Sequence, residues 1–308
     1  MHELLTSREK TVSHAIARRL GAAGVSMHGD HLREVRDSFA DDPKNVLAVS
    51  REHLLSIGSD KSLSPEVKDK TLDEELDTIF DLTIKLDHEV FPPTSEVQKG
   101  VPEYIPDGFV DMGGDASRNA SARNREQILV DKREILSKYK PFLKDLLSED
   151  YGSVDLQTKK RYLATETAKE IYFNSMPYNY EALENMGGDV VKLSEISEGV
   201  CSHQALAFQV LCQTLGLKSR ILKADRNNVR HSTNMIRVDE RWYIFDVSSP
   251  DFMVDAAGKK VWKPGAFKVD RPPAPGERKR YDVKGRYSGK PITYRANHDM
   301  YWRIDPMK

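Results

Sequence analysis

The amino-acid sequence predicts an α+β fold, a central helix packed on an antiparallel sheet, and three observations carry that expectation. From Cys201 to Leu215 the chain is apolar nearly all round, with Ala205, Leu206, Phe208, Val210, Leu211, Cys212 and Leu215 in one helix-length run; a helix without a wet face belongs inside a domain. Three strand-like runs follow it, Leu217 to Ala224, Ser232 to Val238 and Arg241 to Val247, rich in β-branched and aromatic residues. The periodic runs ahead of it are helical, and helices followed by a run of strands form the α+β order.

Taken from the N-terminus, residues 1–90 read as a helical region. Asp30 precedes a short segment ending near Ala40, Asp42-Pro43 precedes another, and Ser64-Pro65-Glu66 opens a longer one to about Val90; each pairs a helix-capping side chain with a first-turn residue that tolerates that position. In the longest piece Leu72, Leu76, Ile79, Phe80, Leu82, Ile84 and Leu86 recur near helical spacing, so one face packs and the other is wet. Residues 91–124 then read as a linker or covering segment, because Pro92-Pro93, Pro102, Pro106 and Gly113-Gly114 interrupt any period. Helical periodicity returns from Arg125 to about Glu149, with Ile128, Ile135, Tyr139, Phe142 and Leu146 on one stripe, and again from Lys159 to Asn174. These helices open a core domain expected over 125–258, which leaves 259–308 as a C-terminal extension.

Charge narrows the classes of partner. With 47 Lys+Arg against 48 Asp+Glu the 308-residue chain has a net charge of -1, so no global field draws it onto nucleic acid or an anionic membrane. The extension is basic, with 14 basic and 5 acidic residues from Lys259 to Lys308, and the reading favoured is that it folds back on an acidic body rather than gripping nucleic acid. Arg8, Glu9 and Lys10 arrive before any apolar stretch of signal-peptide length, so a cytoplasmic protein, or one delivered by a non-Sec route, is expected. The longest charge-free run, Gly199 to Leu217, holds Ser202, His203, Gln204, Gln209, Gln213 and Thr214 and reads as a buried helix, not a membrane span. Two cysteines, Cys201 and Cys212, make neither a disulfide framework nor a closed zinc site with His203, so no metal and no cofactor is expected. Asn119-Ala120-Ser121 matches a glycosylation acceptor by chance, and Tyr172, Tyr178, Tyr180, Trp242 and Trp262 read as packing.

The chemistry sits in the second half. Cys201 follows Gly199 and opens the central helix, where unpaired backbone N–H groups and the positive end of the helix dipole favour a thiolate. Cys212 lies on the same helix about 16 Å along its axis at 1.5 Å per residue, beyond the reach of a disulfide, and reads as core. If Asp239-Glu240 make a two-residue turn, Val238 pairs with Arg241, and counting back places Thr233 opposite Asp246 and His231 opposite Ser248. His231 and Asp246 are then diagonal neighbours on one face, roughly 7–8 Å apart at the backbone, a span that a carboxylate and an imidazole close. Asp246 also interrupts an apolar run, Trp242-Tyr243-Ile244-Phe245-Asp246-Val247, and a carboxylate there needs a dedicated partner. A thiol, a base and an orienting carboxylate in this order make an acyl-transfer site.

At these residues the chain resembles the transglutaminase-like superfamily over about Thr167 to Asp251. The resemblance rests on Gly199-Val200-Cys201-Ser202-His203-Gln204-Ala205-Leu206-Ala207, Leu215-Gly216-Leu217-Lys218-Ser219-Arg220, His231 through Asn234, and Arg241-Trp242-Tyr243-Ile244-Phe245-Asp246. It implies a papain-like α+β core in which Cys201 is the nucleophile, His231 the general base and acid, and Asp246 the orienting carboxylate. Thr233 stands where that family often has tryptophan, and no upstream side chain matches its oxyanion donor, which leaves the backbone N–H of Cys201. The expected activity is cysteine-dependent amide acyl transfer on a protein or peptide, of protease, deamidase or transglutaminase type, with hydrolysis favoured over transfer. The alternative is a binding module of the same fold that recruits a protein partner without turnover, distinguished by an unreactive Cys201.

Overall fold

The computed structural model describes residues 43–90, 98–99, 105, 107–115, 125–150, 154–181, 191–296 and 301–303. The segment expected between Asp30 and Ala40 and the Asn119-Ala120-Ser121 triplet lie outside these residues. Two compact units divide the chain: one holds residues up to Leu86 together with Lys140–Ser153, the other Asp87–Tyr139 and Val154–Lys308.

In the first unit, helix α1 (Pro43–Ile57) and helix α2 (Pro65–Val90) both begin on the proline that the sequence marked, since a first-turn residue has no intrahelical use for its N–H. Leu47, Leu54, Ile57, Leu72, Leu76 and Ile79 are buried, together with Leu143 and Leu147 from the last turns of helix α3 (Lys132–Ser148). His53 Nδ1 and Glu75 Oε1 meet at 3.0 Å inside this core. Lys140 and Lys144 make ion pairs of 2.6–3.4 Å with Asp69, Asp73 and Asp77. With carboxylates as exposed as these, each pair contributes little to stability.

The second unit is mixed α+β. Strands β1 (Gln98–Lys99), β2 (Gly108–Asp115), β3 (Arg125–Val130), β4 (Val191–Lys192) and β11 (Tyr301–Arg303) form a sheet of order β1-β11-β2-β3-β4. The larger sheet has six strands, β5 (Ser219–Arg226), β6 (Val229–Val238), β7 (Arg241–Val254), β8 (Lys260–Val269), β9 (Lys279–Lys284) and β10 (Pro291–Ala296), in the antiparallel order β8-β7-β6-β5-β10-β9. Helix α4 (Leu156–Glu170) opens on Asp155, whose carboxylate accepts from the Gln157 and Thr158 N–H groups, and runs into a wide turn at Ile171–Ser175. Helix α5 (Cys201–Thr214) is the buried one and packs against β5, β6 and β7. Phe208 stacks on Phe245 of β7 at 5.2 Å between ring centroids, with both rings inaccessible. Replacing Phe208 by alanine should cost about 3–5 kcal/mol, read as a lower urea midpoint at unchanged slope; a cost below about 1 kcal/mol would mean that α5 is not the packing centre.

Three boundaries differ from the sequence reading. Residues 125–130 are strand β3, not helix; Ile128, Leu129 and Val130 make a short apolar run that helical and strand periods share, and Asp131 caps the helix proper by accepting from the Glu134 N–H at 2.9 Å. The supposed linker contributes β1 and β2, held through backbone pairing with β11 and β3. The core does not stop at residue 258, because β8, β9 and β10 belong to the same sheet. On β10 burial alternates, with Ile292, Tyr294 and Ala296 inside and Arg295 outside, and on β9 Arg280 and Lys284 are likewise exposed while Tyr281 is buried, so these basic residues are outward positions of paired strands. Several are neutralised locally, Arg271 by Glu277, Lys279 by Asp270 and Arg280 by Asp282, at 2.6–2.8 Å. Among the described residues no helix is long and apolar enough to cross a membrane.

Candidate active site

Helix α5 presents Cys201 at its first position, where the backbone N–H has no acceptor inside the helix. The start is held in place by buried side chains. His203, fully inaccessible, turns its Nδ1 back to accept the Val200 N–H at 3.3 Å, which makes it a capping group rather than a free ligand. Gln204 donates its Nε2 to the Met176 carbonyl at 2.8 Å. Gly199 fits because a side chain there would collide with the Met176 sulfur at 2.9 Å and with the His203 ring at 3.0 Å. Gly199 in turn pairs with the segment 177–179, its N–H donating to Pro177 O at 3.0 Å and its carbonyl accepting from the Asn179 N–H at 2.9 Å.

The hairpin delivers the other two groups. Asp239 and Glu240 have φ of 51° and 58°, the left-handed pair of a two-residue hairpin turn whose twist matches the strands, and Val238 pairs with Arg241. The ladder runs back to Asn234 opposite Phe245, which brings Thr233 level with Asp246. Thr233 is buried and donates its hydroxyl to the Phe245 carbonyl at 2.9 Å, so it secures the two strands at this level. Beyond Asp246 the β7–β8 register shifts, and the bulge turns the Ser249 N–H and Ser248 hydroxyl onto Asp246 Oδ1, both at 3.2 Å. Gly265, opposite Asp246 on β8, leaves room for this: a side chain there would meet the Ser249 carbonyl at 2.7 Å.

Asp246 is wholly buried, and its other oxygen, Oδ2, lies 2.8 Å from His231 Nε2 and accepts the Tyr294 hydroxyl at 2.7 Å. Arg226 Nε stands 3.5 Å from the same oxygen and donates to the Tyr294 hydroxyl at 3.3 Å. Burial by itself would raise the carboxyl; the His231 charge, the hydrogen bonds from His231 and Tyr294 and the Arg226 charge outweigh it and hold Asp246 below the ordinary carboxylate range. With Nε2 committed to Asp246, Nδ1 is the ring nitrogen left to engage the thiol. His231 and Cys201 are hydrogen-bonded to each other, and the pair shifts in opposite senses. Burial disfavours the imidazolium, yet Asp246 and Cys201 together push His231 up to about 10. Burial likewise disfavours the thiolate, and His231, the Ser232 N–H and the Lys223 charge overcome it and bring Cys201 below an ordinary thiol. Cys212, buried on the same helix without such partners, is pushed strongly upward.

The structure therefore brings Cys201, His231 and Asp246 into one chain of contacts. Tyr294, Arg226 and the Ser248-Ser249 bulge were not legible from spacing; Tyr294 lies 48 residues beyond the carboxylate it touches. Among the described residues no group of three or more His, Cys, Asp or Glu side chains is placed to hold a metal ion. A half-buried thiol at the start of a buried helix thus stands beside an imidazole that is paired with a buried carboxylate on an antiparallel sheet. Residues 157–255, which include all three groups but not Tyr294, match the model of a family described as EDR1/CTR1/ARMC3, peptidase-like. A stretch of 132 residues is 28% identical to the probable serine/threonine-protein kinase SIS8 of Arabidopsis thaliana, over 41% of this chain and 12% of the kinase. The likeness thus reaches only about an eighth of that relative.

Proposed function

We propose that this protein is a cysteine-dependent amide acyltransferase or hydrolase with a papain-like core of transglutaminase type, acting on a protein or peptide. The observation that supports it most directly is the His231 imidazole, held through Nε2 by the buried Asp246 at 2.8 Å while the ring interacts with the Cys201 thiol. In this reaction the Cys201 thiolate attacks the amide carbonyl carbon and the carbonyl π pair moves to oxygen. The imidazolium of His231 then gives its Nδ1 proton to the leaving nitrogen as the C–N bond breaks, leaving a thioester on Cys201. Water, deprotonated by the now neutral His231, attacks the thioester, and collapse releases the acid and restores the ion pair. A main-chain amide gives cleavage, a glutamine side chain gives deamidation, and a primary amine in place of water gives a new amide bond. The buried Asp246 keeps the ring oriented through both proton transfers. The peptidase-like description of the matched family supports a hydrolytic outcome.

The test is a proteome-derived peptide mixture incubated with the protein or with Cys201→Ala, with and without a biotinylated primary amine, and read by mass spectrometry. New termini or glutamate-for-glutamine changes that depend on Cys201 are the expected result, with amine incorporation the minor product. High-yield amine incorporation would replace hydrolysis by transfer. No Cys201-dependent change of any kind would favour the partner-recruiting module instead.

A further inference from the structure

We infer that Tyr178 is a catalytic residue, the side-chain donor that holds the oxyanion formed when Cys201 attacks an amide carbonyl; this rests on the acyl-transfer reading above. A tetrahedral intermediate places a negative charge on the former carbonyl oxygen, and a site that stabilises it needs donors aimed at that oxygen and not consumed elsewhere. One is the Cys201 N–H at the start of α5. The polar side chains of the same first turns are already committed. His203 accepts from Val200, Gln204 donates to Met176, and His231 holds its two nitrogens for Asp246 and the thiol.

A second donor comes from the neighbouring segment. Tyr178 is bridged to Gly199, two residues ahead of the nucleophile, and the two backbone hydrogen bonds on either side of the bridge fix its main chain beside the helix start. The residue is 46% exposed, and no hydrogen bond among the described residues engages its hydroxyl. The phenol also lies within electrostatic reach of both Cys201 and Asp246: burial first, then the charges of Cys201, Tyr180 and Asp246, raise its pKa, which keeps it protonated as a donor at neutral pH. A donor that feels the thiolate and has no hydrogen-bond partner among the described residues can turn to an oxygen that carries the charge away from sulfur.

Two small reagents separate this role from a structural one. p-Nitrophenyl acetate acylates a thiolate through a tetrahedral intermediate: sulfur attacks the carbonyl carbon, the π pair moves to oxygen, and collapse expels p-nitrophenolate and leaves acetyl-Cys201. Iodoacetamide alkylates the same thiolate by displacement of iodide at a saturated carbon, with no oxyanion at all. In Tyr178→Phe the acetylation rate of Cys201, followed by nitrophenolate release and mass spectrometry, should fall about tenfold to a hundredfold while the alkylation rate stays within about twofold of the parent. Equal acetylation rates in parent and variant would overturn the assignment and leave the acyl-transfer reading standing. Parallel losses in both reactions would also overturn it, by making Tyr178 a support of the helix start. A parent that is alkylated at Cys201 but never acetylated would overturn the acyl-transfer reading, and this inference with it.

Discussion

Replacing His231 by alanine should remove the acid-range reactivity of Cys201 altogether. In the parent the thiol is held below its ordinary range because the hydrogen bond and charge of His231 overcome burial. Without the imidazole, burial faces only the Ser232 N–H and the Lys223 charge, and the thiol shifts upward. Alkylation by iodoacetamide at about pH 6 should therefore drop about tenfold or more in the variant, and its rate should rise toward alkaline pH as for an unassisted thiol. Cys212 supplies the control within each molecule, since its burial keeps it unreactive in both proteins. A variant that labels Cys201 as fast as the parent at low pH would show that the helix start alone activates the thiol.

Asp246→Asn should lower amide turnover by about 10²–10⁴-fold, the range reached when an orienting carboxylate in a nucleophile–histidine site loses its charge. The sign of the accompanying pH effect is set by His231. Its imidazolium persists to about 10 because Asp246 and the thiolate favour the charged ring over the penalty of burial. Parent turnover should thus fall on the alkaline side only as that proton is lost, and the asparagine variant should fall at distinctly lower pH. Alkylation of Cys201 has no such alkaline limb, because a thiolate without its imidazolium is still a nucleophile. The asparagine amide keeps an oxygen for the Tyr294 hydroxyl, so the change isolates charge from packing better than alanine would. An alkaline limb at the same pH in both proteins would remove Asp246 from the reaction.

What spacing could reveal and what it could not divides along sequence separation. The hairpin was legible because a two-residue turn fixes parity, and parity fixes which side chains share a face; His231 and Asp246 followed from counting back from Asp239-Glu240. Cys201 was legible because the apolar run that makes α5 central also marks where it starts. Tyr294 was not, because β10 pairs with β5 across four intervening strands of sequence, β6 to β9, and no local period announces a non-consecutive neighbour. The same long-range pairing explains why residues 259–308 looked like an appendix: their charges are conspicuous in sequence, whereas the alternate buried positions, Tyr281, Ile292, Tyr294 and Ala296, acquire meaning only from the strands they face. Strand β3 was missed for the opposite reason, an apolar run too short for period alone to assign, although Asp131 marks the true helix start.

The placement of β10 also sets a clock. A nascent chain that has emerged through β7 already carries thiol, imidazole and carboxylate, but the far edge of β5 is bare and the Asp246 carboxylate lacks the phenol that shares its proton acceptor. The 48 residues from Asp246 to Tyr294 take about 2–10 s to synthesise at typical rates of about 5–20 residues per second. During that interval the sheet has an unpaired edge and the carboxylate an unfilled side. The groups that lower the thiol, His231, the Ser232 N–H and Lys223, all precede β8, so what arrives late is the last hydrogen bond on the carboxylate that orients the imidazole.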